Sequence, residues 1–383
     1  MKLAIIGPYP LDNNTDNMHG GVQAVAVNLL KGLLRFNDLD IHVLTVSHAI
    51  DKDRDFRSNG FTMHAVAADN RFGNITFYSK ARKRICRKID DIRPDLIHSH
   101  MLGYHTLAAL ESGHTKVLVS THGITEGNWG VSCTLMDKMR RYLQDCIHEK
   151  CLKRAENIIV NSRFSEDFLK SYKIRNIYRL NNPISDAFFN IDTDKEEENR
   201  ILFVGNISEA KGVATLMEAV RILKDSFKNI KVMVAGPMSD SNFYEKLRGF
   251  IKENDLVEAV HFLGHLNENK LIEEYIKASI FVFPSQQDIA PLALLQAMAC
   301  GKAVVTTRVG GIPYIVDDGV DGFLVNNKDP KALAGRVAVL LRDKSLRKDL
   351  GDNAKKKISG NYKIDSVTEE LYGIYRKVTS STS

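Results

Sequence analysis

Apolar and polar positions along this chain fall into alternating blocks. Short apolar runs, KLAIIG, IHVLTV, FTMHAV, DLIHSH, KVLVST, NIIVNS and NIYRL, occupy the first half. Between them lie segments with helical periodicity, at about Gly21 to Phe36, Ile75 to Asp91, Leu102 to Glu111 and Leu135 to Arg154. Strands separated by helices predict βαβ units on a parallel sheet. A second series starts at RILFVG. It continues through a helix over Lys211 to Lys224, NIKVMVAG, a helix through Leu247, AVHFLG and a helix through Ile276. It then runs from a strand at Ile280 to Phe283, through Pro284-Ser285, to a helix opening at Pro291 and ending at Gly301. A strand from Ala303 to Thr306 follows. Between the series, Asp192 to Arg200 (DTDKEEENR) is acidic and aperiodic, as an exposed linker would be. A last helical segment, Asp365 to Arg376, suits either half.

With 383 residues the chain exceeds one ordinary core, so two domains are expected. The boundaries expected are 1–188 and 189–362, with a C-terminal helix over 363–383 that can return to the first domain. The expected class is α/β, two doubly wound Rossmann-like domains facing each other across a cleft. Apolar content of 44% and charged content of 26% are those of a soluble globular protein. The apolar stretch of MKLAIIG is too short for a signal peptide or a spanning helix, which points to the cytoplasm. Cys86, Cys133, Cys146, Cys151 and Cys300 are odd in number and contain no C-x-x-C pair, so they read as reduced thiols.

The net charge of +6 is uneven: residues 1–185 hold 26 Lys/Arg against 19 Asp/Glu, and the remainder 27 against 28. Such an excess invites an anionic partner. No nucleic-acid module is recognisable, which argues against DNA or RNA. On the helix near Ile75 to Asp91, Lys80, Lys83, Arg84, Arg87 and Lys88 share one arc, with Tyr78, Ala81, Ile85 and Ile89 opposite. That arc reads either as a solvated face or as a peripheral contact with anionic membrane. The D-x-D triplets Asp51/Asp53, Asp53/Asp55 and Asp192/Asp194 lie in polar loops with no strand to deliver them to a pocket. No metal site is therefore expected.

Candidate chemistry concentrates at the carboxyl ends of the strands, where open α/β sheets bind ligands. Asp288 enters the helix that opens at Pro291-Leu292, Gln296 lies inside it, and the free first-turn amides there suit hydroxyls or phosphate. Gly20-Gly21 precede a helix and fit either a tight turn or a close approach to phosphate. Lys211 and Gly212 start a helix beside the glycine turn at Gly205. Gly310-Gly311 follow AVVTT, where bare backbone could meet phosphate. His122 ends KVLVST. His98 and His100 share a strand face and read as structural or cleft-lining, a third metal ligand being absent. Trp129, between Gly127 and Gly130, could stack on a ligand ring or anchor its loop.

In order and spacing, RILFVGNISEAKGVATLMEAV and SIFVFPSQQDIAPLALLQAMACGKAVVTTRVGGIPYIVDDGVDGFLV resemble the retaining, nucleotide-sugar-dependent glycosyltransferases of the GT-B fold, family 4 type. HGGVQAVAVNLLKGL, PDLIHSH and VLVSTHG carry a weaker likeness in the first half. The resemblance implies sugar transfer from a nucleoside diphosphate sugar with retained anomeric configuration, no required metal, and a saccharide or lipid-linked acceptor. It implies catalytic roles for three residues: Lys211 on the diphosphate, His122 on the donor sugar near the reaction centre, and Asp288 on the sugar hydroxyls. Gln296 then falls at the ribose, and Trp129 becomes an acceptor-side candidate, either stacking on an acceptor sugar or anchoring its loop. Gly20, Gly21, Gly205, Asn206, Gly236, Pro291, Leu292, Gly310 and Gly311 complete the implied donor site. The chain departs from the family pattern at Asp288 and Gln296, where glutamates are usual, at Asn206, usually arginine, and at Tyr314, usually glutamate. Aspartate reaches less far, and glutamine gives up a charge-assisted bond. Two other classes remain alongside transfer: a sugar-nucleotide epimerase or phosphorylase on the same frame, and a non-catalytic nucleotide-sugar-binding protein.

Overall fold

The computed structural model describes residues 1–11, 20–68, 78–123, 135–191, 195–238 and 240–380. Trp129, Cys133 and the Asp192/Asp194 triplet lie outside them. Two compact units emerge, Met1–Pro183 with Ile364–Ser383, and Ile184–Lys363.

In chain order, the first unit contains β1 (Lys2–Ile6), α1 (Gly21–Leu33), β2 (Asp40–Ser47), β3 (Arg54–Ser58), β4 (Phe61–Ala67), α2 (Ser79–Ile92), β5 (Leu96–His100), α3 (Tyr104–Glu111), β6 (Val117–Thr121), α4 (Leu135–Arg154), β7 (Asn157–Val160), α5 (Arg163–Leu169) and β8 (Asn176–Arg179). The second contains β9 (Arg200–Val204), α6 (Val213–Leu223), β10 (Lys231–Ala235), α7 (Ser241–Glu253), β11 (Val260–Gly264), α8 (Glu268–Lys277), β12 (Ile280–Phe283), α9 (Leu292–Ala299), β13 (Ala303–Thr307), β14 (Phe323–Val325), α10 (Pro330–Arg342) and α11 (Lys344–Ser359). Helix α12 (Ile364–Ser380) closes the chain and belongs to the first unit.

Unit 1 has the strand order β3-β4-β2-β1-β5-β6-β7-β8, parallel except for the antiparallel β3–β4 pair. Unit 2 has β11-β10-β9-β12-β13-β14, parallel throughout. Every residue of β5, β6, β7, β12 and β13 is buried, the near-continuous burial that parallel strands with covered faces require. Both sheets are doubly wound as predicted. Their carboxyl ends carry Gly7, His100 and Thr121 in unit 1, and Gly205, Gly236, Phe283 and Thr307 in unit 2.

The division falls before the expected 188/189 boundary. Pro183 O accepts from Asn28 Nδ2 of α1, whereas the next amide, Ile184, donates to Tyr362 O. Ile184, Phe188 and Phe189 are buried in the core of unit 2, so the short 3-10 turn there belongs to that unit. The supposed exposed linker is partly structural as well. Glu196 takes two bonds from Arg347 (2.7 and 3.1 Å), and Glu197 N donates to Lys277 O. Charged side chains on an acidic run look solvated until their partner, 151 residues away, is in place.

Helix α12 packs on α1 through buried Val367, Leu371, Ile374 and Tyr375. A Cβ at Gly32 would stand 2.3 Å from Thr368 Cγ2, so the glycine admits the close crossing. Arg35 pairs with Asp365 at 2.5 Å, and Phe36 stacks on Tyr372 with ring centroids 4.3 Å apart. The antiparallel edge strand β3 was not predicted. RDFRS has little apolar alternation, and edge strands tolerate charge. It carries Asp55 of the supposed loop triplets. Strand β14 and helices α10 and α11 also go beyond the predicted elements.

Along α2, Ala81, Ile85 and Ile89 are buried as the periodicity predicts. Of the basic arc, Lys88 is held by Asp55 (2.7 Å). Arg84 donates to Ala67 O (2.9 Å), with Asp53 at 3.6 Å, which leaves Lys80, Lys83 and Arg87 exposed. Among the described residues no helix is long and apolar enough to cross a membrane. None of the described cysteines, Cys86, Cys146, Cys151 and Cys300, is in a disulfide.

Candidate functional site

In unit 2 the chemistry gathers where β9, β12 and β13 end. Lys211 closes a 3-10 turn over Glu209–Lys211, and Gly212 follows in the left-handed region (φ 70°). Helix α6 therefore starts at Val213 rather than at Lys211. A Cβ at Gly212 would lie 1.8 Å from Pro284 O, so only glycine lets this turn seat against the loop after β12. Two further bonds clamp the same loops: Gln286 N donates to Ala210 O and Gln286 Nε2 to Glu209 O, both at 2.9 Å.

That clamp brings Lys211 Nζ to 2.7 Å from Asp288 Oδ2, across 77 positions of sequence. Ser285 Oγ donates to the same carboxylate oxygen at 2.6 Å. The ammonium also stands 5.7 Å from the centroid of the Phe283 ring. Side-chain exposures of 27% for Lys211 and 14% for Asp288 leave the pair open on one side to a ligand. The two residues singled out separately in the sequence thus form one unit. Ser285 was missed, although its place three residues before Asp288 is the spacing of a local side-chain bond.

The glycines act differently from what was expected. Gly310 (φ 51°) would place a Cβ 2.0 Å from Asp288 O, and Gly311 already donates its N–H to that oxygen at 2.9 Å. Gly205 N donates to Ala235 O (2.9 Å) and Gly236 N to Gly264 O (2.7 Å). The amides of Gly205, Gly236 and Gly311 are occupied, so these three glycines bring loops into contact rather than offering N–H groups to phosphate. The donors without an acceptor among the described residues are instead the first-turn amides of α6 and, in α9, those of Leu292 and Ala293, since Leu294 N donates to Pro291 O (3.1 Å); neither helix has a side-chain cap. Pro291 is the N-cap of α9 and Leu292 its first residue, close after Asp288 in the chain. Gln296 is half-buried within α9, and its side chain has no hydrogen bond among the described residues. Asn206 and Tyr314 are exposed. In unit 1, Gly20 (φ 91°) is the N-cap of α1 and Gly21 its first residue, with open space around Gly20.

Also in unit 1, His122 directly follows β6, and its Nε2 lies 3.0 Å from His100 Nδ1 on neighbouring β5. His98 engages both ring nitrogens, Nδ1 with Tyr375 Oη of α12 (2.6 Å) and Nε2 with Ser120 Oγ (2.8 Å). His105 of α3 holds His100 O at 2.6 Å. Burial lowers His122 to about 4 and His98 to about 3, and drives His100 lower than its ordinary value too. All three are neutral at pH 7. His98 and His100 are thus structural in part, but His100 also touches His122, and Tyr375 was not foreseen because it arrives from the far end of the chain.

This burial has a stability consequence with a definite sign. An unfolded histidine takes a proton near pH 6.5, whereas the folded groups resist until about 4 and about 3. Below pH 6.5 the unfolded state binds more protons, so stability falls as pH drops from about 6.5 toward 4. The urea midpoint of the wild type should therefore fall more between pH 7 and pH 5 than that of His98→Asn. Equal losses would remove His98 from the account.

Among the described residues no group of three His, Cys, Asp or Glu side chains is arranged to hold a metal ion. Asp53 accepts from Ala67 N at 2.8 Å, and Asp55 is paired with Lys88.

Residues 19–188 match the family model described as Glycosyltransferase Family 4, and residues 185–357 match Glycosyl transferases group 1. An uncharacterised glycosyltransferase of Methanocaldococcus jannaschii is 27% identical over 341 residues, 88% of this chain and 89% of that relative. Sucrose-phosphate synthase from Thermosynechococcus elongatus superposes with a TM-score of 0.81 at 19% identity, covering 100% of both chains. The Anabaena protein HepE, solved in complex with UDP-glucose, superposes with a TM-score of 0.77 at 14% identity over 98% of this chain and 100% of that one. Two parallel α/β units of this order and two adjoining family matches lead to one conclusion: the chain belongs to the family 4-type glycosyltransferases of the GT-B fold.

Proposed function

We propose that this glycosyltransferase moves a sugar from a nucleoside diphosphate sugar to a hydroxyl of a saccharide or lipid-linked acceptor. The anomeric configuration is retained and no metal is required, and the setting is surface polysaccharide or glycolipid assembly. The observation that carries the reading is the Lys211–Asp288 pair at 2.7 Å beside the uncapped starts of α6 and α9. An ammonium and free helix amides suit a diphosphate, and a carboxylate within reach suits sugar hydroxyls.

The chemistry then runs as follows. The bond from the anomeric carbon to the diphosphate oxygen breaks, and Lys211 with the first-turn amides stabilises the charge left on that oxygen. The acceptor hydroxyl bonds to the same face of the anomeric carbon, and its proton passes to the departing phosphate oxygen. Asp288 orients the donor sugar, and no residue is needed as a nucleophile. His122 takes the substrate-contacting role that the family resemblance implies for it. Exposed Lys80, Lys83 and Arg87 of α2 would serve an enzyme working at an anionic membrane surface from the cytoplasmic side.

A thermal-shift panel of UDP, GDP, ADP, CDP and dTDP identifies the base, because a ligand held well above its dissociation constant raises the melting point. The matching nucleotide sugar should then be hydrolysed slowly without acceptor and transferred with acceptor, giving product of unchanged anomeric configuration by NMR. EDTA should leave that rate intact. Inverted product would overturn retention, and activity restored only by added Mn²⁺ or Mg²⁺ would overturn metal independence.

A further inference from the structure

We infer that Ser285 is a positioning residue for the Lys211–Asp288 pair: its buried hydroxyl holds Asp288 Oδ2 in place while the ammonium leaves that oxygen for a diphosphate. The inference rests on the reading of the pair as the donor site. It goes further by naming the group that keeps the carboxylate still when its other partner moves.

Ser285 is 0% exposed and directly follows Pro284 after β12. Its backbone is tied on both sides. Thr306 Oγ1 donates to Phe283 O at 2.7 Å, Thr307 Oγ1 donates to Ser285 O, and Gln286 N donates to Ala210 O at 2.9 Å. With the main chain fixed, Oγ stands within reach of three acceptors: Asp288 Oδ2 at 2.6 Å, Gln287 O at 3.2 Å and Ala210 O at 3.3 Å. A hydroxyl has one hydrogen to give. The carboxylate is both the nearest acceptor and the ionised one, so the hydrogen goes to Asp288.

Two donors therefore converge on one oxygen, the hydroxyl at 2.6 Å and Lys211 Nζ at 2.7 Å. They differ in freedom. The lysine side chain is 27% exposed on a flexible stem, so its ammonium can turn toward a ligand. The serine hydroxyl is enclosed on a short side chain and cannot follow. Once the ammonium moves to a diphosphate, Asp288 faces that anion with 14% of its side chain exposed. Without Ser285 it would then have lost both donors. A partly buried carboxylate stripped of donors is costly, so it would pull the ammonium back. Ser285 removes that cost in the occupied state. Its loss should therefore weaken diphosphate binding, although the hydroxyl itself is closed off from a ligand.

The first measurement needs no ligand. In full-length protein labelled with ¹⁵N-lysine, the Lys211 ammonium is assigned by its loss in Lys211→Ala, and its hydrogen exchange with water is followed by NMR. Ser285→Ala leaves the carboxylate to the ammonium alone and should slow that exchange about twofold, whereas Asp288→Asn should speed it. An unchanged rate in Ser285→Ala overturns the inference. The second measurement is calorimetry with inorganic pyrophosphate, which carries neither base nor sugar. Ser285→Ala should bind it about threefold more weakly than the wild type. Ser285→Cys, with a weak donor in nearly the same volume, should fall between the two. In an Asp288→Asn background Ser285→Ala should change nothing, because the group it acts through is gone. Equal weakening in both backgrounds would show that Ser285 acts through loop packing, and overturns its role toward Asp288. A wild type that binds neither pyrophosphate nor any nucleotide would sink the proposed function, and the exchange rates alone would then decide on Ser285.

Discussion

Lys211→Ala should lower turnover by about two to three orders of magnitude while leaving the protein folded, the size of loss seen when one preorganised donor to a developing oxyanion is removed. The effect is expected to be large because the site is sparsely charged. On the proposed reading, with Asn206 where the family usually has arginine, Lys211 is the one cation among the residues assigned to the donor. Removing it also leaves Asp288 facing a diphosphate with Ser285 as its remaining partner. Donor KM should therefore rise as kcat falls. The fold should survive, since the side chain is 27% exposed and the turn around it is set by Gly212 and the Gln286 bonds. Single-turnover rates and far-UV circular dichroism decide the matter, and a near-wild-type rate in a folded protein refutes the role given to Lys211.

Asp288→Asn should separate two quantities that a packing defect would move together. In the free protein the carboxylate pairs with the ammonium, so an arriving diphosphate must compete for Lys211. Neutralising Asp288 removes that competition, and the bare nucleoside diphosphate should bind about tenfold tighter, or about 1.4 kcal/mol. The same change deprives the sugar hydroxyls of a charged acceptor, so turnover should fall about a hundredfold. Calorimetry with the nucleoside diphosphate and steady-state rates with its sugar form the comparison. Weaker nucleotide binding together with lower turnover would show that Asp288 acts through packing alone.

Much of this site was visible in the chain before folding was considered. Asp288, Pro291 and Gln296 stand in local order around a strand, a turn and a helix, and such order is set by short-range geometry. The same holds for Lys211 beside its glycine and for the strands whose apolar runs exceed their neighbours' polarity. Edge strand β3 escaped notice because charged residues on an edge leave no hydrophobic period to read. The pairing of Glu196 leaves no local trace for a related reason, since its partner Arg347 lies far along the chain.

By itself, then, the sequence determined two parallel α/β series, the family, and the identity of the residues that bear charge near the strand ends. The tertiary structure decided which of them meet: Lys211 with Asp288, His122 with His100, and Tyr375 with His98. It also decided that the amides of Gly205, Gly236 and Gly311 are spent on loop contacts, whereas the first-turn amides of α6 and those of Leu292 and Ala293 in α9 find no acceptor among the described residues. The reason is physical. Periodicity and turn chemistry act over a few residues, whereas a hydrogen bond or ion pair depends on distances of about 3 Å that only the packed sheets and loops can set.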